Sequence, residues 1–208
     1  MQPNKTKLAL QVGALLLGAS CGFSTSADTF NITVNTISDV EIDTVTALDF
    51  GEYIITDANT SCAMDASTPE DAVVFADGGL TATDYGLLNG DGCVGDGVSV
   101  GTPGVYSITG VAGLDIKITL NSEAQAGGDF TYTPDGCVVD HDGASGGDLC
   151  TALAAGNQVT ATIADGVDDG DAISGETHFT VGGVIDIGAT GLTSDTDYDA
   201  TFLVNVVY

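Results

Sequence analysis

Three stretches of this chain hold side chains that could do chemistry. The first, "GASGG" (Gly143–Gly147), has the G-x-S-x-G spacing of a hydrolase nucleophile, with Ser145 at its centre and His141 nearby. That spacing acts only on a sharp strand-to-helix elbow, where the serine is lifted above a sheet beside an oxyanion hole. Here it falls between two cysteines in a Gly- and Asp-rich run, so we read it as loop. The other histidine, His178 in "THFTV", reads as an exposed strand residue. Two isolated histidines do not make an active site, and no enzyme is expected.

The second stretch, "DGVDDGDAISGE", can be laid against a twelve-residue calcium loop. Asp165 takes the first position, Asp169 the fifth, Gly170 the sixth, Asp171 the seventh and Glu176 the twelfth. Val167 stands where the third ligand should be, and no helical pattern flanks the segment. A helix–loop–helix calcium hand is therefore excluded. Two readings stay open: a weak Ca2+ loop built from clustered carboxylates, and an acidic hairpin loop in solvent. The third stretch, "SDTDYDA", puts Asp195, Asp197 and Asp199 on one side if the chain is extended. Like charges so placed must splay into solvent or share a cation.

The cysteines are more informative. Beyond Cys21 there are four: Cys62, Cys93, Cys137 and Cys150. None forms a C-x-x-C pair, and an even number in an exported chain favours disulfides over a metal. Of the three connectivities, Cys62–Cys93 with Cys137–Cys150 closes neighbouring loops in sequence order.

Export itself is read from the start of the chain. Lys5 and Lys7 precede the apolar run "LALQVGALLLGA", which is too short for a spanning helix. Small residues at Thr25 and Ala27 then have the spacing a signal peptidase reads. Residues 1–27 are assigned as a signal peptide and 28–208 as one domain. Lipidation of Cys21 is the rival reading, weakened by Gly18 where a leucine should stand. The product is expected outside the cytoplasm, in the extracellular space or at the cell surface via the periplasm, with no membrane insertion.

All 30 acidic residues lie after Ala27, whereas Lys117 is the one basic residue that remains there. With no arginine to neutralise phosphates, nucleic acid is excluded as a partner. Like-charge repulsion also strains self-association. A saline habitat accounts for such acidity. The chain is not disordered, because hydrophobic residues make up 43% of it.

Any of these residues must be positioned by strands. "FNITVNT" alternates with Phe30, Ile32 and Val34 on one face. "DVEIDTVTALDFGEY", "AVVFA", "GVSV", "VYSITGV", "LDIKITL", "DFTYTP", "QVTATIA" and "THFTVGGVIDIG" follow, separated by Gly and Asp turns. The final "TDYDATFLVNVVY" alternates through Phe202, Val204, Val206 and Tyr208 to the last residue. "CTALAAGNQ" could hold one helical turn at most. About ten short strands without helices predict a single antiparallel β-sandwich.

"LDFGEY" (48–53), "GVYSITGVAGLDIKITL" (104–120) and "FTVGGVIDIGATGLTSDTDYDATFLVNVVY" (179–208) together resemble an exported bacterial family known only as domain of unknown function 4402. Its usual elements are an Asp-Phe-Gly turn, a Tyr-x-Ile/Val-Thr-Gly strand, a Val-Gly-Gly hairpin and a terminal strand ending in Tyr. The "LDFG" turn and the terminal aromatic strand also look like spore-coat-U-like and chaperone–usher pilin subunits. The resemblance implies an immunoglobulin-like, non-catalytic structural sandwich at the cell surface. It also implies an edge groove, covered first by a periplasmic chaperone and then by the N-terminal strand of the next subunit. The four cysteines and the long insertions around them depart from the family pattern. A self-contained binding module, such as a calcium-dependent adhesin or matrix protein, is the alternative.

Overall fold

Among the described residues, alternation between β-branched residues and polar ones becomes ten strands and no helix. The computed structural model describes residues 40–66, 85–125, 128–141, 149–166 and 173–208. All of them belong to Ile37–Tyr208, one of two units into which the chain divides. The segments "FNITVNT" and "AVVFA", and with them Phe30, Ile32 and Val34, lie outside the described residues, as does the signal-peptide region.

Seven strands make the larger sheet: β1 (Glu41–Thr46), β2 (Ser61–Met64), β3 (Leu88–Asn89), β4 (Gly104–Thr109), β6 (Phe130–Asp140), β7 (Leu149–Ala154) and β9 (Glu176–Ile187). The smaller sheet holds β10 (Phe202–Val207), β5 (Asp115–Ser122) and β8 (Gln158–Thr162), in that order. Every pairing is antiparallel. The predicted all-β antiparallel sandwich is the fold of the described residues.

Strand β9 organises the larger sheet. One of its sides pairs with β6 along most of its length. The other side is shared, with β4 opposite 176–181 and β2 opposite 183–186. The handover falls at Gly182–Gly183, which continues the strand rather than turning a hairpin as the family pattern implied. Gly183 has φ +119°, and a β-carbon there would lie 2.3 Å from the Thr133 carbonyl oxygen. Only glycine allows that approach. Gly136 on β6 is tighter still, since a β-carbon would meet the Thr180 carbonyl oxygen at 1.9 Å.

Two apolar clusters fill the space between the sheets. Ile116, Ile118 and Leu120 of β5 meet Ile108, Val138, Leu153, Phe179 and Val181 of the larger sheet. Farther along, Met64, Leu88, Phe130, Tyr132, Ile185 and Ile187 gather around the Cys62–Cys93 bridge. The buried Tyr132 hydroxyl donates to the Gly182 carbonyl oxygen, so its polar tip is not stranded in the core.

Several local expectations need correction. "CTALAAGNQ", allowed one helical turn at most, continues β7 as far as Ala154, paired with β6, and then turns toward β8. "GVSV" is mostly turn, with one isolated bridge from Val100 to Leu87. Asp195 takes a left-handed φ of 56°, which breaks the extended run that would have aligned it with Asp197 and Asp199. His178 is buried at 7% exposure instead of exposed, because β4 and β6 flank the strand that carries it.

Candidate functional site at the last strand

Strand β10 follows directly from its sequence: every second residue is apolar and faces the core. It pairs with β5 from Phe202 opposite Ser122 to Val207 opposite Lys117. Its other edge has no strand partner among the described residues. The inward side chains Phe202, Val204 and Val206 consequently pack on the core yet stay partly exposed. Val40, Leu48 and Tyr106 pack against the same cluster and are also only partly buried. A core side chain on a central strand is shielded from both flanks, whereas one on an edge strand is shielded from one.

An aromatic chain ties this edge to the larger sheet. Phe202 presents its ring edgewise to Tyr106 at 6.0 Å and to Tyr132 at 6.1 Å. Tyr106 in turn stacks on Phe179 at 5.0 Å. Such pairs each contribute about 0.5–1.5 kcal/mol beyond the area they bury. Burial raises the Tyr106 pKa, and a hydrogen bond with the Leu48 backbone works against it. The phenol stays neutral at physiological pH and can serve as an apolar wall.

The chain's last residue does not continue the core face. Tyr208 reaches over the β4–β5 turn, where its hydroxyl accepts the Val111 N–H at 2.7 Å. A β-carbon at Gly110 would crowd that oxygen, again at 2.7 Å. The last strand is therefore fastened by its aromatic tip to the turn that carries the chain from the larger sheet to the smaller one.

Chemically, the edge of β10 offers backbone donors and acceptors and a row of apolar side chains at alternate positions. That is a surface for an added strand. No nucleophile or acid–base pair lines it among the residues just named.

Both expected disulfides are present. Cys62–Cys93 joins β2 to the loop after β3 across 31 residues, inside the second core cluster. Cys137–Cys150 joins the adjacent strands β6 and β7 across 13 residues, beside Val139. The second bridge staples strands rather than a free loop, since both cysteines lie within the ladder.

Asp165 and Glu176 stand at the two ends of one loop, closed by the Gly175 N–H donating to the Ala164 carbonyl at 2.8 Å. Asp165 is exposed, and Glu176 lies 3.4 Å from His178 Nε2. Asp169 and Asp171 lie outside the described residues. Among the described residues, no three His, Cys, Asp or Glu side chains gather as a metal would need. Ser145 is outside them too, and His141 is buried.

Sequence reasoning found Phe202, Val204 and Val206 by their alternation but missed Val40, Leu48 and Tyr106. A register shift between Thr44 and Thr46 in β1 breaks the alternation that would have linked the first two. Comparison with protein families, curated proteins and solved structures gives no match for this chain. Among the described residues, no helix is long and apolar enough to cross a membrane.

Proposed function

We propose that this chain is a non-catalytic exported structural protein, a subunit of a pilus-like surface filament or coat, that assembles by β-strand addition. The observation that carries the reading is the edge of β10, hydrogen-bonded on one side to β5 and bordered by the partly buried Phe202, Val204 and Val206. An unpaired edge beside apolar pockets invites another strand, and proteins that keep one cover it. "FNITVNT" has the matching alternation, with Phe30, Ile32 and Val34 to fill the pockets. A periplasmic chaperone would hold the groove before assembly. The immunoglobulin-like resemblance and two oxidised disulfides agree with export.

The test is the size of the purified protein on unheated gels and by light scattering. Ladders that collapse on denaturation are expected, and Ile32→Asp should leave monomers, because an ionised carboxylate cannot enter an apolar pocket unpaired. A single monomer peak from the unmodified chain, with melting unchanged by Ile32→Asp, would overturn the reading. It would favour the self-contained binding module instead.

A further inference from the structure

The outward face of the three-stranded sheet differs from the rest of this acidic molecule in charge. Its central strand β5 turns Asp115, Lys117, Thr119 and Asn121 away from the core, between the buried Ile116, Ile118 and Leu120. Positions 158, 160 and 162 of β8 are all uncharged, as are 203, 205 and 207 of β10. One acid and one base therefore share a face of a chain that carries 30 acidic residues and three basic ones. Lys117, the one basic residue beyond position 7, lies across from Thr160 on one side and Val207 on the other. Val207, beside it, stands in solvent at 53% exposure, and Leu203, opposite Asn121 at the far end of the face, at 47%.

We propose that this face is a two-fold contact between two copies of the chain. Two molecules of net charge −27 repel wherever acidic surfaces meet. A face of zero net charge is where they can approach. The face is also complementary to itself. Asp115 and Lys117 are two residues apart on one strand, roughly 7 Å, and point the same way. A two-fold axis lying in the plane of the contact, perpendicular to β5 and midway between the two residues, sets the copies face to face and brings each lysine onto the partner's aspartate. Val207, next to Lys117, then loses water at the margin. Three strands about 4.8 Å apart and up to eight residues long would offer about 400 Å2 per copy, and the contact buries less than that, because its axis lies near the start of β5. That is below what a stable dimer needs, so the contact is weak alone and matters where many copies are held close. It uses a face rather than an edge and stands independently of strand addition.

Sedimentation of the full exported protein up to about 1 mM, in salt enough to screen net charge, tests it. A reversible dimer is expected. Lys117→Asp should weaken it about tenfold or more, and adding Asp115→Lys should restore it. Thr119→Glu should abolish the dimer without shifting the melting temperature. Thr131→Glu, on an exposed position of β6, and Ile32→Asp should both leave it intact. Monomer at every concentration, a dimer that survives Thr119→Glu, or a Lys117→Asp loss that Asp115→Lys fails to repair would each overturn the proposal.

Discussion

Asp135 shows how one carboxyl bears on the stability of this fold. It sits opposite Gly182, half-buried, and accepts the Gly136 N–H at 2.9 Å. Burial raises its pKa most, the Gly136 hydrogen bond opposes that, and the nearby Asp65 charge adds to the rise. A carboxyl raised on folding stabilises while protonated, so its contribution is full below the unfolded pKa and is lost as pH rises through the folded one. At pH 7 the charged form is therefore a liability. Asp135→Asn is expected to raise the melting temperature at pH 7 and to change it little at pH 3, by calorimetry at both. Asp129 has the opposite sign: hydrogen bonds from the Thr190 hydroxyl and N–H hold its pKa low, so that link is released as pH falls through the lowered value. Tyr208 offers a second test at this scale. Tyr208→Phe removes the hydroxyl that accepts the Val111 N–H and should cost about 1 kcal/mol, read from urea melts.

At the scale of elements, the larger sheet depends on close backbone approach at β6 and β9. Gly136→Ala would drive a β-carbon into the Thr180 carbonyl, where backbone on both sides prevents relief. A loss of about 3 kcal/mol or more is expected, or no folded product. Gly156→Ala is the contrast, because nothing lies within 4 Å of the added carbon and only the left-handed φ of 78° is strained. It should cost about 1 kcal/mol. Denaturant titration of the two variants separates crowding from backbone strain. Similar losses would mean that β6 and β9 can spread. Sequence shows where the glycines stand but cannot say which of them has a neighbour's carbonyl against it.

For the whole molecule, the dominant fact is 30 carboxylates against three basic residues. Sodium chloride should raise the melting temperature by screening that repulsion. Calcium at equal ionic strength should raise it further if the loop from Asp165 to Glu176 gathers a cation. Paired thermal melts decide this, and equal shifts would leave screening as the whole effect. The two assembly contacts also divide by scale of force. Strand addition rests on backbone hydrogen bonds and buried side chains, so it should tolerate salt. The Lys117–Asp115 contact is small and electrostatic in register, and it should show only at high concentration.

Period-two alternation and closely spaced turn residues determined the all-β class, the inward set on β10, and the even cysteines that pair in chain order. These are readable from sequence because strand faces and short-loop closures depend on residues near one another in the chain. Partners across a sheet are set by contacts far apart in sequence, and tertiary structure alone decided those. It put β9 between β6 on one side and β4 and β2 on the other, which buried His178 and carried Gly182–Gly183 straight through a strand. It sent Tyr208 to the Val111 backbone, 97 residues away, instead of to the core. It also gathered β5, β8 and β10 into one sheet, so that the one lysine beyond residue 7 came to lie on a face with a single acid. Charge is counted along a sequence, but repulsion acts through space, and only folding assigns each carboxylate to a face.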